Sequence, residues 1–245
     1  MSGELSFVEV PSYGTGDSRV RIVHISDTHK SHNRYLSSIP DGDILIHSGD
    51  FAQRMKTEGF EEKMEDFNNF LGALPHKHKI FVAGNHEIAL NNYTKKEIQK
   101  MLPNCVYLQD SSVKLMGIKF YGSPWTTSSR MGFSCPRAEI KKKWKKIPRS
   151  TDILITHMPP FNILDLAFSS KALDNSTCST CGKSHERYRH WGSNSLLERV
   201  ETVKPKFHLF GHVHDDPGFK RVGDTTFVNS AVDLKGIGHY FDYNV

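Results

Sequence analysis

Hydrophobic runs alternate with polar clusters along most of the chain, and the runs predict short buried strands. Five runs end directly at a cluster of Asp, Asn or His side chains: residues 20–25, 43–47, 79–83, 152–156 and 206–210. Between the second and third of them, apolar residues recur at helical spacing over 59–74, and Pro75 follows. The order strand, strand, helix, strand predicts a crossover unit in a parallel or mixed sheet.

The remaining pattern predicts further short elements. Helices are expected over 94–101, 136–146 and 195–203, and strands near 105–108, 113–116, 118–121, 219–222, 225–229 and 238–243. We expect the three strands within 105–121 to form a more antiparallel stretch. Residues 1–19 have the pattern of an irregular lead-in, and 161–192 that of an insertion loop over one face. No stretch has the composition of a flexible linker, so residues 1–245 are predicted to form one domain.

The polar clusters after the five runs carry the candidate chemistry. They are Asp27 with His29, Asp50, Asn85 with His86, His157, and His212 with His214. Ligands of open α/β sheets bind beyond the carboxyl ends of the strands, so these clusters are expected to converge on one site. Two carboxylates, an amide and several imidazoles without a thiolate suit Mn²⁺, Fe, Zn²⁺, Co²⁺ or Ni²⁺. These donors are too many for one tetrahedral ion, whereas two ions that share a carboxylate would use them all.

The spacing within two of the clusters has a physical reason. Asp27 and His29 are two positions apart, so in an extended chain they face the same way. Gly211, before the two histidines of Gly-His-x-His, lets the backbone come close to a ligand. Each motif alone has an ordinary explanation, because a loop Asp-x-His or a turn Asn is common. The prediction rests on five such elements, each at a strand end.

Composition and charge narrow the classes of function. The chain has 245 residues with 37% hydrophobic and 24% charged positions, which is ordinary globular composition. Its net charge of +5 suits a phosphate-bearing substrate but is too small to indicate nucleic-acid binding, so no stable nucleic-acid complex is expected. With no signal-like start and no apolar run of about 20 residues, we expect a cytoplasmic protein without a membrane span. The oligomeric state is left open.

The ordered motifs Asp27-x-His29, Gly49-Asp50, Gly84-Asn85-His86-Glu87, His157 and Gly211-His212-x-His214 resemble the calcineurin-like metallophosphoesterase superfamily. Residues 43–51 (DILIHSGDF), 120–126 (FYGSPWT) and 204–214 (KPKFHLFGHVH) are similar to the animal metallophosphoesterase-domain-containing proteins. The chain departs from those proteins at Met158, where they usually have glycine, and in a longer 161–192 segment. The resemblance implies an α/β fold, a four-layer α/β/β/α sandwich of two mixed sheets with a two-metal site at its edge.

The resemblance also implies a role for each site residue. One divalent metal ion would be held by Asp27, His29, Asp50 and His214. The second would be held by Asp50, Asn85, His157 and His212, so that Asp50 bridges the two ions. The expected metal is Mn²⁺, with Fe, Zn²⁺, Co²⁺, Ni²⁺ and Mg²⁺ as alternatives. His86 is the non-ligand histidine beside the substrate, and Glu87 is expected to hold the turn.

The implied activity is a phosphodiesterase that acts on small substrates such as cyclic nucleotides. A hydroxide bridging the metals would attack phosphorus while His86 assists the leaving group. Arg54 is a further candidate phosphate contact, beside Asn85 and His86. The residues after Gly49-Asp50 lack the Asp-Arg-Gly of the protein phosphatases. The alternatives are a phosphomonoesterase, a nucleotide-binding scaffold with little turnover, and a nucleic-acid binder that uses the lysine run 141–146.

A second group of possible ligands lies in the 161–192 segment. Cys178 and Cys181 form one Cys-x-x-Cys motif, with His185 and His190 nearby. This is half of a common zinc pattern, and it also fits a redox pair. Because no second Cys-x-x-Cys follows, the sequence favours an ordinary pair of thiols.

Overall fold

The computed structural model describes residues 5–170, 177–178 and 181–245. The described residues form fourteen strands, and most of the short hydrophobic runs lie in them. The strands are β1 (Ser6–Glu9), β2 (Arg19–Ile25), β3 (Ile44–His47), β4 (His78–Phe81), β5 (Val106–Tyr107), β6 (Ser111–Leu115), β7 (Ile118–Ser123), β8 (Ile153–Thr156), β9 (Leu166–Phe168), β10 (Tyr188–His190), β11 (Phe207–Phe210), β12 (Gly218–Val222), β13 (Thr225–Asn229) and β14 (Ile237–Asn244).

Five α-helices connect or cover the strands of the described chain. They are α1 (Phe60–Ala73), α2 (Lys95–Met101), α3 (Ile140–Trp144), α4 (Asn194–Val203) and α5 (Val232–Lys235). Short 3-10 turns form at His32–Tyr35 and Ile88–Asn92. Helix α2 begins at a capping box, in which Thr94 and Glu97 each accept a hydrogen bond from the other's backbone N–H. Helix α4 begins where the Ser193 hydroxyl accepts from the N–H of Leu196.

Twelve of the strands form two mixed sheets of six strands each. The first has the order β1-β14-β2-β3-β4-β5, and the second has the order β12-β13-β11-β8-β7-β6. Strands β2, β3, β4 and β5 run parallel in the first sheet, and β13, β11, β8 and β7 run parallel in the second. The parallel strands of each sheet therefore end at one edge, which is where the polar clusters follow.

Three hydrophobic clusters show that the sheets and helices are stacked in four layers. Helix α1 buries residues such as Phe67 against Leu45 and Phe81 of the first sheet. The opposite face of that sheet packs on the second sheet, with Ile46 and Ile155 in the shared cluster. Helices α3 and α4 cover the outer face of the second sheet, where Trp144 is fully buried. This arrangement confirms the predicted α/β/β/α sandwich.

The structure differs from the sequence prediction in three connections. Residues 6–9, within the expected irregular lead-in, form β1 and pair in parallel with the C-terminal strand β14. Strand β5 pairs in parallel with β4 in the first sheet, so only β6 and β7 make the expected antiparallel stretch. The segment 161–192 contains the antiparallel hairpin β9–β10. Each of these three pairings joins residues that are far apart in the chain, and a pattern read from neighbouring residues cannot predict such a pairing.

No helix in the described part of the chain is long and apolar enough to cross a membrane.

Candidate metal centre

The edge of the two sheets brings together the residues that follow five parallel strands. Three groups of possible ligand atoms lie there, each with all its atoms within 4.8 Å of one another. The groups are Asp27, His29 and His214; His29, Asp50 and His86; and Asp50, His157 and His212. Because His29 and Asp50 each belong to two groups, the three form one continuous set. We call Asp27, His29, Asp50, Asn85, His157, His212 and His214 the strand-edge centre.

One half of the strand-edge centre is arranged around His157. Its Nε2 atom lies 3.1 Å from Asp50 Oδ2 and 3.1 Å from Asn85 Oδ1. Its Nδ1 atom donates a hydrogen bond to the carbonyl oxygen of Ser48 at 2.9 Å. A neutral ring with its proton on Nδ1 directs the Nε2 lone pair at two other acceptor atoms. Three acceptor atoms this close together can bind a cation that lies between them. His212 lies beside His157, with ring centroids 5.0 Å apart.

The other half is arranged in the same way around His214 and His29. The Nε2 atoms of these two rings are 3.3 Å apart, and His214 Nε2 is 3.1 Å from Asp27 Oδ1. His29 Nδ1 donates to the carbonyl oxygen of Ala52 at 3.0 Å, and His214 Nδ1 donates to Asp233 Oδ2 at 3.3 Å. The Nδ1 atoms are thus held by acceptors outside the centre. Both Nε2 atoms turn inward, so this half also fits a divalent cation.

Charges are concentrated and buried in the strand-edge centre. Asp27 and Asp50 are almost completely buried. Burial acts to raise the pKa of Asp27, but His157 and His214 outweigh it and hold the pKa well below its ordinary value. Burial acts to lower the pKa of His157, but Asp50 and Asp27 outweigh it and raise the pKa to about 9. Two buried carboxylates therefore need compensating positive charge, which protonated histidines or divalent cations can supply.

The backbone is strained where it turns into the strand-edge centre. Asp27, His29, Asp50 and His212 have left-handed φ angles of 57°, 42°, 56° and 69°. Each such conformation costs a non-glycine residue roughly 1–2 kcal/mol. Position 211 has no room for a side chain, because a Cβ atom there would lie 2.0 Å from Asp27 Oδ2. Four of the fourteen non-glycine residues with positive φ in the described chain lie in this centre, and such residues are common at functional sites.

Glu87 connects two of the loops that form the centre. Its carboxylate accepts hydrogen bonds from the N–H groups of Gly84, Asp50 and Ala52 at 2.7, 2.9 and 3.0 Å. Burial and the neighbouring Asp50 raise the pKa of Glu87 to about 8, against the effect of these donors. Its carboxylate faces backbone N–H groups rather than the ligand atoms, so its contacts are those of a residue that holds the turn.

His86 lies at the mouth of the centre, with 23% of its side chain exposed. Its Nδ1 accepts a hydrogen bond from the backbone N–H of Arg54 at 3.1 Å, so the neutral ring carries its proton on Nε2. That Nε2 atom lies 3.9 Å from Asp50 Oδ2. Arg54 itself is exposed and contacts His86 through its backbone. A phosphate contact by the Arg54 guanidinium stays a prediction.

Two residues beside the centre were not identified from the sequence. Asp233 lies in α5 and orients His214, and no local motif marks it. Trp191 follows β10, and its ring centroid is 5.7 Å from that of His212. Trp191 and His212 line a depression of about 200 Å³ together with Thr127, Ser128 and Arg137. The signal that the sequence offers for Trp191 is an aromatic residue within a polar segment.

Comparisons with known sequences match most of the chain. A family model described as calcineurin-like phosphoesterase matches residues 20–216. A UPF0046 protein of Caenorhabditis elegans is 39% identical over 232 residues, which cover 88% of this chain and 76% of that protein. Human metallophosphoesterase domain-containing protein 1 is 35% identical over 239 residues, covering 86% of this chain and 66% of the human protein.

Solved structures share the fold at lower sequence identity. A Thermus thermophilus protein superposes with a TM-score of 0.58 at 13% identity, covering 86% of this chain and 89% of that one. A structure titled a putative 5'-nucleotidase from Staphylococcus aureus gives a TM-score of 0.52 at 13% identity, covering 86% of this chain and 48% of that one. At these identities the likeness extends to the fold alone.

Proposed function

The chain belongs to the calcineurin-like phosphoesterase family of metal-dependent phosphoester hydrolases, and on that premise we propose that it hydrolyses small phosphodiesters, with cyclic nucleotides as the preferred class. One divalent ion, preferably Mn²⁺, is assigned to Asp27, His29, Asp50 and His214. The second is assigned to Asp50, Asn85, His157 and His212. The mixture of carboxylate, amide and imidazole donors supports this assignment.

The protein residues around the strand-edge centre prepare it for these ions. Bound divalent ions supply Lewis-acid stabilisation of phosphoryl charge and generate a nucleophile from water at neutral pH. Ser48, Ala52 and Asp233 accept the Nδ1 protons of three ligand histidines and so keep the Nε2 lone pairs directed inward. This arrangement fixes the tautomer of each ring before a substrate arrives.

His86 is placed to act on the leaving group. Because its Nδ1 accepts the N–H of Arg54, the neutral ring presents an Nε2–H donor at the mouth of the centre. A hydrogen bond from Nε2 to the departing oxygen stabilises the negative charge that develops as the P–O bond breaks. We therefore assign His86 to the leaving group rather than to a metal ion.

Trp191 is the observation that supports a nucleotide over other small diesters. Its side chain is 43% exposed, although it lies next to buried His212. An open aromatic face can stack on a nucleobase. The adjoining depression of about 200 Å³ is of a size for part of a small molecule, and Arg137 adds a cationic group to its lining. A base on Trp191 would leave the phosphate close to the strand-edge centre.

A substrate panel tests the proposal. Purified protein is stripped with a chelator, supplied with Mn²⁺, and assayed on bis(p-nitrophenyl) phosphate, 3',5'- and 2',3'-cyclic nucleotides and p-nitrophenyl phosphate. We expect metal-dependent cleavage of the diesters, with a cyclic nucleotide giving the highest kcat/KM. A preference for the monoester would indicate a phosphomonoesterase. Tight metal binding without any turnover would indicate a nucleotide-binding scaffold, and either outcome would refute the proposal.

The role of Trp191 has a separate test. Trp191→Ala is expected to raise the KM for a cyclic nucleotide by about 5- to 150-fold, which corresponds to the roughly 1–3 kcal/mol of one base–aromatic stack. Phe219→Ala is the matched control, because Phe219 is a similarly exposed aromatic residue outside the strand-edge centre. Equal KM values for the two variants would contradict nucleobase stacking on Trp191.

A further inference from the structure

A second set of potential metal ligands lies outside the strand-edge centre. Cys178, Cys181, His185 and His190 each offer one ligand atom, and these four atoms lie within 4.8 Å of one another. All four residues are partly buried. We call them the loop cluster. The sequence has no second Cys-x-x-Cys motif. The second pair of ligands is formed by the two histidines instead.

The distances within the loop cluster fit a tetrahedral ion. His185 Nε2 lies 3.2 Å from His190 Nε2, and 2.8 Å from Cys181 Sγ. Two Zn–N bonds of about 2.0–2.1 Å at the tetrahedral angle place their nitrogen atoms about 3.3–3.4 Å apart. The two imidazoles are therefore already separated as zinc requires. A Zn–S bond of about 2.3 Å places sulfur and nitrogen about 3.5–3.6 Å apart, so the Cys181 Sγ contact of 2.8 Å has to lengthen when the ion binds.

Backbone hydrogen bonds hold Cys178 close to the residues that follow Cys181. Thr177 and Ser184 form an antiparallel bridge, and the N–H of Cys178 donates to the carbonyl oxygen of Lys183 at 2.8 Å. The N–H of Gly182 donates back to the carbonyl oxygen of Cys178 at 2.8 Å. Gly182 has a φ of 73°, which a glycine adopts without strain. These contacts hold the two cysteines near each other, and their ligand atoms lie within 4.8 Å of those of the histidines.

A buried carboxylate orients His190, the histidine on β10. His190 Nδ1 donates to Asp165 Oδ1 at 2.8 Å, and the other oxygen of this buried carboxylate accepts the N–H of Gly192 at 3.1 Å. The proton on Nδ1 leaves Nε2 as the atom that faces His185 and the thiols. A carboxylate behind a histidine in this way is the usual support of a metal-ligating imidazole. Phe161 packs on the same ring, with centroids 4.7 Å apart.

We propose that the loop cluster is a structural zinc site of the Cys₂His₂ type. Four protein ligands fill a tetrahedral shell and leave no position for water or substrate, which is the mark of a structural rather than a catalytic zinc ion. Two sulfur and two nitrogen ligands favour Zn²⁺ over the harder Mn²⁺ expected in the strand-edge centre. The site needs no second chain to be complete.

The position of the loop cluster indicates what the zinc ion would hold in place. His190 is followed directly by Trp191, which contacts His212. The hairpin that carries His190 is tied to the loop after His214 by two hydrogen bonds, from Leu166 N–H to Asp216 and from Phe168 N–H to Asp215. Zinc bound there would fix β9, β10 and Trp191 beside the strand-edge centre. Metal binding of this kind supplies folding free energy to a segment with little apolar core.

X-ray absorption at the zinc edge, with metal analysis, tests the proposal on the protein purified under reducing conditions with zinc present. We expect a shell of two sulfur atoms at about 2.3 Å. The double variant Cys178→Ser/Cys181→Ser should lose this shell and one equivalent of zinc. The matched control Cys105→Ala/Cys135→Ala removes two thiols of the hydrophobic core and should keep both. Neither measurement depends on hydrolysis. A protein without the proposed activity can therefore still show the zinc site.

A conservative variant keeps the test informative if the double variant does not fold. His185→Cys should still bind zinc, with three sulfur atoms in the shell instead of two. An unchanged sulfur count in this variant would exclude His185 as a ligand. Zinc without any sulfur neighbour in the wild type, or a disulfide between Cys178 and Cys181 after purification under reducing conditions, would overturn the site.

Discussion

The strand-edge centre and the loop cluster gather similar side chains in opposite ways. The ligands of the strand-edge centre are up to 187 positions apart, and each follows a strand of a packed sheet. The loop cluster draws its four ligands from residues 178–190 alone. In the first case the hydrophobic core positions the donors before any metal binds. In the second, a strand pair, backbone hydrogen bonds and one buried carboxylate support the donors, and we expect the metal to complete their ordering.

The two sites also differ in how deeply their ligands are buried. Asp27, Asp50 and His157 are almost fully buried within a fold of three hydrophobic clusters, which can support strained backbone angles. The ligands of the loop cluster are only partly buried. We therefore expect metal removal to impair catalysis at the first site and local order at the second. The predictions below separate these two consequences.

The largest expected effect is that of Asp50→Ala on the strand-edge centre. Removing the shared carboxylate should empty both metal positions, and hydrolysis should fall toward the uncatalysed rate, a loss of about 10⁶-fold or more in typical enzymes. The loop cluster should keep its zinc, because none of its ligands contacts Asp50. Metal analysis and the diester assay measure both results. Asp224→Ala, at an exposed turn, is the control.

His86→Ala separates chemistry from metal binding within the strand-edge centre. We expect kcat to fall by about 10²–10⁴-fold, the usual contribution of a group that transfers or shares a proton in the transition state. Metal content should stay at the wild-type level, because His86 is assigned to the leaving group. His78→Ala removes a histidine of β4 outside the centre and should have no such effect. Full activity in His86→Ala would refute the assigned role.

Each site has one carboxylate that orients a histidine, and the pair allows a matched comparison. Asp233→Asn replaces the charged acceptor of His214 by a neutral amide, and Asp165→Asn does the same to the acceptor of His190. Loss of such a partner typically weakens metal binding by about 10- to 100-fold. We expect Asp233→Asn to weaken Mn²⁺ binding alone and Asp165→Asn to weaken zinc binding alone, as measured by competition with a chromophoric chelator. Loss of both metals in either variant would show that the sites are not independent.

A smaller effect is expected in the pH dependence of stability. Hydrogen bonds and charges from Asp233 and Asp27 outweigh burial and raise the pKa of His214 to about 10, and that of His157 is raised to about 9. The folded, metal-free protein therefore retains protons that the unfolded chain releases near pH 6.5. The contribution of these two histidines to stability should be fully present below that pH and should be lost as the pH rises toward 9–10.

Thermal unfolding at several pH values measures this effect in stripped and Mn²⁺-loaded protein. Each kcal/mol lost should lower the Tm by about 2–4 °C in a chain of this size. In loaded protein the metal ions replace the histidine protons, so the part of the decline that His157 and His214 cause should be absent. Parallel declines in both forms would show that the two histidines do not face bound metal.

The sequence predicted the strand-edge centre because its signals are local. A buried strand and the polar residues after it are adjacent in the chain, and the parallel order then implies that the ends meet. Asp233 and Trp191 could not be found in this way, since their contacts with His214 and His212 arise only from packing. Strand β1 was missed for the same reason, because it pairs with β14 at the far end of the chain.

The loop cluster was only half visible in the sequence. The spacing of Cys178 and Cys181 was clear, and His185 and His190 have the His-x₄-His spacing of a common second pair, but only three residues separate the two pairs instead of about 12–15. Their role depends on β10 pairing with β9, which places His190 against Asp165.

The most direct test of the two-metal account is to follow diester hydrolysis as a function of bound Mn²⁺. Chelator-stripped protein is titrated with Mn²⁺, and the number of bound ions per chain is measured beside the rate with bis(p-nitrophenyl) phosphate. We expect two ions to bind in the wild type, none to bind tightly in Asp50→Ala, and the rate to follow the fraction of chains that hold both. Full activity with one bound ion, or in protein stripped of metal, would contradict the account.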